Sequence, residues 1–166
     1  MIRFLLLICL CILAVLLFAG CGKRTKEKPL PLGTIGVEEP IFIDPFPKPF
    51  AAKVDTGADI ASIDAEDIRE IVRNDKKYVS FLIRRRGTDE VNRYELPLVR
   101  IMPITRHGQK PLKRYVVMLK IRLGAIPMRK EFSLANRSNF TYQVLLGKNV
   151  LAGNAAVDVM KKNTLQ

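Results

Sequence analysis

Short apolar segments separated by turn residues are the feature that most restricts what this chain can fold into. Within residues 78–85, the apolar Val79, Phe81 and Ile83 alternate with other residues and share one side of an extended chain. A period of two is typical of a β-strand with one buried face. Turn residues follow such segments at Gly87 and Gly124. The sequence therefore predicts a small, mainly antiparallel β domain.

The same patterns predict the individual elements. Three prolines mark residues 41–50 as an irregular or edge segment. Asp64 suits a helix N-cap, and Ile68, Ile71 and Val72 then share one face, which predicts a short helix. Strands are predicted at residues 50–54, 60–63, 78–85, 94–102, 114–123, 128–134 and 141–146.

The amino terminus has the pattern of an export signal. A positive charge at position 3 precedes the uncharged, strongly apolar residues 4–18, and Ala19-Gly20-Cys21 follows. This apolar stretch is at the upper edge for a signal peptide and slightly short for a helix that crosses ~30 Å of hydrocarbon. The small residues before Cys21 resemble a bacterial lipobox, with Phe18 where leucine is usual, and predict cleavage after residue 20 and a lipid on Cys21. An uncleaved anchor is the alternative.

Domain organisation follows from this reading. Residues 1–20 are predicted to be a signal peptide, 21–34 a lipidated cysteine with a basic tether, and 35–166 one compact domain. Cys9, Cys11 and Cys21 all lie before the domain, which therefore has no disulfide and no cysteine metal ligand. The protein is expected at a membrane facing the periplasm, and Gly22 after the cysteine favours the outer membrane.

The charge of the chain points to anionic partners. The formal net charge is +12, and the cations are scattered, with Arg84-Arg85-Arg86 the densest run in the domain. That run is interpreted as a solvated strand end. An excess of basic residues favours binding to lipid, nucleic acid or acidic peptide, and it does not choose among them. Because no recognition helix or aromatic ladder accompanies the cations, nucleic acid is not predicted as a partner.

The stretch Val54-Asp55-Thr56-Gly57-Ala58-Asp59 carries the candidate chemistry. It places one carboxylate, Asp55, on a tight glycine turn after an apolar strand. Thr56 offers a hydroxyl to lock the turn, Gly57 an N–H to the carboxylate without a side chain in the way, and Ala58 is small where the turn is crowded. A pair of carboxylates about 3 Å apart can share one proton and activate water. Asp-Thr-Gly occurs once in the chain, so a pair needs Asp55 from each of two copies.

A second segment completes a known pattern. Asp55-Thr56-Gly57-Ala58-Asp59 resembles the active-site turn of retropepsins, the dimeric aspartic proteases of retroviruses, and Leu145-Leu146-Gly147-Lys148-Asn149 resembles their second signature. The domain is most similar to the bacterial retropepsin-like endopeptidases, often labelled "ATP-dependent zinc protease". Asn136-Arg137-Ser138 and Ser62-Ile63-Asp64-Ala65 are further matching residues.

This resemblance implies a closed β-barrel or sandwich with one or two short helices, and a homodimer that hydrolyses peptide bonds. It implies Asp55 as the catalytic residue, with Thr56, Gly57, Ala58, Asp59, Leu146 and Gly147 as its support. It also implies strand exchange near the termini and a flexible flap over the cleft. The flap is expected at residues 104–111, with Gly108 as its most flexible residue, or else near Gly87. The zinc label has no support in the sequence, because the domain has one histidine, His107, and no His-Glu-x-x-His. No metal or cofactor is therefore expected.

Some alternatives stay open. Asp59 either accepts hydrogen bonds within the turn or pairs with a nearby arginine. Lys53 replaces an apolar residue common in viral relatives, and a cation near the carboxylate pair would favour ionised carboxylates. A catalytically inactive lipoprotein that uses the same fold to bind peptides or to act as a scaffold is the alternative to an enzyme.

Overall fold

A computed structural model describes residues 28–106 and 109–165, without the side chains of residues 104–106 and 109–111. These residues form strands joined by short turns, together with a single four-residue helix, α1. The elements are β1 Gly33–Ile35, β2 Glu38–Ile43, β3 Phe50–Val54, β4 Ala61–Asp64, β5 Glu66–Arg73, β6 Lys76–Arg84, β7 Val91–Arg106, β8 Gln109–Leu123, β9 Ile126–Ala135, β10 Val144–Leu146, α1 Lys148–Leu151 and β11 Ala155–Val157.

Six of these strands close a barrel. Their order is β2-β3-β10-β4-β9-β8, and β8 pairs back onto β2 through Ile121, Arg122 and Leu123. Strand β8 has β9 along one edge, whereas its other edge carries β7 on the first part and β2 on the last three residues. Strands β7, β6 and β5 therefore extend from the barrel as a meander. The mainly β, closed-barrel fold class is confirmed.

Alternation along the strands builds the core. Val79, Phe81 and Ile83 of β6 are fully buried, as predicted, and so are Ile41 and Ile43 of β2. Burial of each such side chain stabilises the fold by about 1.5–3 kcal/mol. The strand face that the sequence marks as apolar is therefore the face that fills the barrel.

The helix predicted after Asp64 is wrong, because residues 66–73 are strand β5, paired antiparallel with β6. The two strands are joined by Asn74 and Asp75, whose φ angles of 48° and 59° are both positive. Positive φ at both central residues is the two-residue hairpin turn that matches the twist of paired strands. Val72, assigned to the buried helical face, is 62% exposed. Pairing with β6 therefore outweighs the helical spacing of Ile68, Ile71 and Val72, which predicted a helix.

The proline-marked segment is irregular only in its second part. Residues 44–49 form the connection, which contains a cis peptide bond between Asp44 and Pro45. Ile41 to Ile43, in contrast, belong to β2. This strand is not an edge, since it pairs with β3 on one side and β8 on the other.

Both ends of the domain lie together. Strands β1 and β11 pair in parallel as a separate two-stranded sheet within one chain. The fully buried carboxylate of Glu39 accepts N–H bonds from Gly36, Thr164 and Leu165 and a hydroxyl bond from Thr164. Burial alone would raise the pKa of Glu39, but these hydrogen bonds together lower it. The carboxylate thus fastens the carboxyl-terminal residues to the barrel.

Two sequence-based predictions fall on residues that the structure leaves out. The signal peptide and Cys21 lie outside the described residues, as do His107 and Gly108. On either side of these two residues, β7 and β8 pair in antiparallel fashion as far as Arg106 opposite Gln109, and the flap stays a prediction. In the described part of the chain, no helix has the length and apolar character to cross a bilayer.

Candidate active site

Asp55 lies at the end of two parallel strands. Strand β3 carries it, and β10 runs beside β3 with Leu146 opposite Val54. The Asp55 N–H donates to the Leu146 carbonyl at 3.0 Å, so the parallel pairing continues into the first residue of the turn. The aspartate is half-buried, whereas Thr56 and Gly57 are exposed at the tip of the turn.

Gly57 holds the carboxylate in place. Its N–H donates to Oδ1 of Asp55 at 2.9 Å, which is the contact expected from the sequence. A Cβ at this position would lie 3.2 Å from the same oxygen, tighter than ordinary van der Waals contact. The close approach of the backbone to the carboxylate therefore favours a residue without a side chain at this position.

The second segment passes directly beneath the turn. A Cβ on the buried Gly147 would lie 2.6 Å from the carbonyl carbon of Ile60 and 2.9 Å from the carbonyl oxygen of Ala58. No side chain fits at such distances, so only glycine allows β10 and the turn to come this close. Leu146 and Gly147 thus support the turn, as the resemblance implies.

The short helix α1 completes the support. Its first N–H groups have no partner within a helix and need one elsewhere. The Lys148 N–H donates to the Ala58 carbonyl at 2.8 Å, and the Asn149 N–H donates to the Asp59 carbonyl at 3.2 Å. The turn therefore supplies the acceptors that the helix requires.

Asp59 pairs with a lysine and not with an arginine. Its Oδ1 lies 2.6 Å from Nζ of Lys148, and both side chains are largely exposed. This hydrogen bond, with the positive charge behind it, lowers the pKa of Asp59. The ion pair links the turn to α1 at the surface.

Asn149 is a supporting residue to which sequence reasoning gave no role. Its Oδ1 accepts the Ala61 N–H at 2.9 Å, and its Nδ2 donates to the Glu131 carbonyl at 2.8 Å. It therefore joins the strand that leaves the turn, β4, to β9. The signal available was its place directly after Leu146-Gly147-Lys148 in the second motif.

A buried arginine network lies beside the turn. Arg137 is 9% exposed and donates from Nη1 to Oγ of Ser62 at 2.9 Å and from Nε to the Tyr142 carbonyl at 3.0 Å. Its backbone N–H donates to Oδ1 of Asp64 at 2.6 Å. The carboxylate of Asp64 therefore serves this network and does not cap a helix.

Several charges act on Arg137. Burial is the main cause that lowers its pKa, and the cations Arg114 and Arg86 lower it further, whereas Asp64 and Asp55 oppose the shift. The structure thus brings the charge of Arg137 within electrostatic reach of Asp55. Lys53, the cation considered from the sequence, is half-buried in β3 opposite Glu38 and Leu145.

The prediction of a solvated run at residues 84–86 holds for Arg84 and Arg86, which are exposed, but is wrong for Arg85. The side chain of Arg85 is only 12% exposed, pairs with Glu90 at 2.7 Å and lies over the ring of Phe50 at 4.2 Å. Nη2 of Arg86 donates to Oδ2 of Asp64 at 2.6 Å. Both arginines are used by contacts that are distant in sequence, which a local charge pattern does not reveal.

Within residues 28–106 and 109–165, the carboxylate of Asp55 forms no ion pair and accepts the Gly57 N–H. The neighbouring carboxylates are occupied, Asp59 by Lys148 and Asp64 by Arg86 and Arg137. Among the described residues, no group of three His, Cys, Asp or Glu side chains is placed to hold a metal ion.

The chain is similar to part of several longer proteins. The chain is 32% identical over 109 residues to a "Probable alpha-L-glutamate ligase" of Shewanella pealeana and 29% identical to a protein of the same name from Parasynechococcus marenigrum. Each match covers 64% of this chain but only 24% and 23% of the relative, so the chain spans about a quarter of their length. The ligase name describes those longer proteins.

A solved structure and a protein family match much more of the chain. A Legionella pneumophila protein of unknown function is similar at a TM-score of 0.69 and 30% identity, with 81% of this chain and 98% of that chain covered. Residues 34–166 match the family described as RimB-like, retropepsin-like aspartic endopeptidase RimB. With its Asp-Thr-Gly turn, supporting glycine and closed barrel, the chain therefore belongs to the RimB-like family of retropepsin-like aspartic endopeptidases.

Proposed function

We propose that this protein is a membrane-tethered aspartic endopeptidase whose catalytic pair consists of Asp55 from each of two copies. The observation that carries the proposal is the Asp55 turn, with Gly57 bonded to the carboxylate and β10 packed beneath it. Family membership supports peptide hydrolysis as the activity. The single Asp-Thr-Gly in the sequence, and the engagement of Asp59 and Asp64 elsewhere, leave a second copy as the source of the partner carboxylate.

The chemistry follows from two carboxylates at hydrogen-bonding distance. Such a pair holds a single proton, because two like charges about 3 Å apart do not both ionise. The ionised Asp55 takes a proton from a bound water as the water oxygen attacks the carbonyl carbon of the scissile peptide bond. The protonated Asp55 of the partner gives its proton to the carbonyl oxygen. The resulting diol collapses, the C–N bond breaks, and the amine leaves with the proton taken from water.

The assembly would be a homodimer with a two-fold axis between the two aspartates, and the same surface of both chains would form the interface. Cys21 would anchor each chain in the cell envelope, facing the periplasm. Peptides rich in glutamate are the substrate class that we favour. The relatives named as glutamate ligases support this preference, and so does the formal net charge of +12, which favours acidic peptides.

Mixing of subunits tests the shared pair. Asp55→Asn is expected to abolish cleavage of a peptide library by the purified protein, and a pepstatin-like inhibitor should block the wild type. When wild type and Asp55→Asn are mixed in equal amounts and allowed to exchange, activity per total protein should fall to about one quarter, against about one half for chains that act alone. Asp89 is an exposed aspartate in the β6–β7 turn, and Asp89→Asn is the matched control. Mixing Asp89→Asn with wild type should leave the activity per total protein unchanged.

The second candidate function is that of an inactive peptide-binding or scaffold lipoprotein. It is favoured if the wild type binds peptides but cleaves none from acidic to neutral pH and stays monomeric. Activity that survives Asp55→Asn would contradict the proposed mechanism outright.

A further inference from the structure

Three exposed cations share the outer face of the β8–β9 hairpin. Strand pairing places Lys120 directly opposite Arg129, and residues directly opposite each other lie on the same face of a sheet. Arg122 lies two residues along on that face, with its guanidinium 3.7 Å above the ring of Phe42. All three cations are exposed. We call Lys120, Arg122 and Arg129 the basic face.

Nothing within the described chain neutralises this face. Like charges directly opposite one another destabilise a pair of strands, so a partner carboxylate would be expected. Among the described residues, however, no carboxylate forms an ion pair with Lys120, Arg122 or Arg129. Asp44 lines the same groove as Lys120 and Arg122 without pairing with either, and Glu131, two residues from Arg129, pairs with Arg100. Arg122 donates only to the Gly124 carbonyl. The face is therefore charge-complementary to an anionic surface.

The amino-terminal segment leads to the same end of the domain. A Cβ on Gly124, in the β8–β9 turn, would lie 3.7 Å from Cδ2 of Leu32, so the chain enters the domain beside this turn. The eleven residue steps from Cys21 to Leu32 span at most about 40 Å when extended. The tether itself is basic, with Lys23, Arg24, Lys26 and Lys28.

We propose that the basic face docks the domain onto a membrane rich in anionic lipid headgroups. The tether keeps this face within a short distance of the bilayer, and cations near such a surface are attracted over about one Debye length, roughly 10 Å at 0.1 M salt. Strand β8 begins at Gln109 and ends at Leu123, next to the turn at Gly124. Docking at the turn therefore leaves the Gln109 end of β8 away from the membrane.

Vesicle binding by the domain from Lys28 onwards tests this docking without the anchor. The domain is expected to fold alone, because the solved Legionella relative consists almost entirely of it. Sedimentation with phosphatidylglycerol–phosphatidylcholine vesicles is compared with sedimentation with phosphatidylcholine alone. Replacing Lys120, Arg122 and Arg129 by Gln should weaken binding to the anionic vesicles by about fivefold for each cation, or about 100-fold together.

The control removes the same charge elsewhere. Lys76, Arg84 and Lys113 are exposed cations outside the basic face, and replacing them by Gln should leave vesicle binding within about twofold of wild type. Equal losses in the two triple variants would overturn the proposal, as would wild-type binding that does not depend on anionic lipid. A basic-face variant that still binds vesicles but no longer binds an oligoglutamate peptide would assign the face to substrate and would also overturn it. The docking rests on the membrane tether of the proposed function, but no cleavage is measured, so its failure is distinguishable from a failure of the proposed peptide hydrolysis.

Discussion

Asn149 offers the sharpest test of how the candidate site is held together. Its side chain accepts the Ala61 N–H and donates to the Glu131 carbonyl, so Asn149→Ala removes the two hydrogen bonds that link α1 to β4 and to β9. Each bond contributes about 1 kcal/mol, and the Ala61 N–H is left without a partner in a residue that is fully buried. The sum is a loss of about 3 kcal/mol in the free energy of unfolding. For a domain of this size, the midpoint of thermal unfolding should fall by roughly 10 °C.

Urea and thermal unfolding of the domain, followed by circular dichroism, measure this loss. Asn149→Asp keeps the acceptor for Ala61 but loses the donor to Glu131, so it should lie between wild type and Asn149→Ala. Asn139→Ala, an exposed asparagine, is the matched control and should change stability by less than about 0.5 kcal/mol. If Asn149→Ala were no less stable than Asn139→Ala, the side chain would not support the turn, and the reasoning would be refuted.

Two further predictions concern the surroundings of the site. Arg137→Lys should lower the unfolding free energy by about 2 kcal/mol in urea titrations, because one ammonium group does not replace the guanidinium bonds to Ser62 and the Tyr142 carbonyl; an unchanged urea midpoint would contradict this. Because the pKa of Glu39 is lowered on folding, its contribution is complete above its ordinary value of 4.5 and is lost as the pH falls through the lower folded value. Glu39→Gln should therefore be less stable than wild type at neutral pH, with the difference shrinking in acid; a constant difference from about pH 7 to about pH 3 would disprove the role.

Much of the barrel could be predicted from the sequence because its signals are local. The period of two in residues 78–85 marks the buried face of β6, and the strand at residues 50–54 is bounded by a proline on one side and the Asp55 turn on the other. The Asp-Thr-Gly motif likewise identifies the turn, and the second motif identifies the segment beneath it. These features depend on residues that are close together in the chain.

The wrong predictions concern residues whose structure is decided by contacts with residues that are distant in the sequence. Residues 66–73 carry a helical apolar period, yet pairing with β6 across the Asn74–Asp75 turn makes them a strand. Arg85 looks like part of a solvated run, but it packs on Phe50. A local pattern contains no information about which residue a side chain meets across the fold.

The sequence by itself determined the strand-rich class of this domain, the single Asp-Thr-Gly turn and the second motif at residues 145–149. The tertiary structure alone decided how they are joined: Asn149 bridges β4 and β9, Gly147 lies against the carbonyls of Ala58 and Ile60, and the charge of Arg137 lies near Asp55. The physical reason is that alternation and turn chemistry are properties of neighbouring residues. Hydrogen bonds and charges between strands, in contrast, exist only after the barrel has closed.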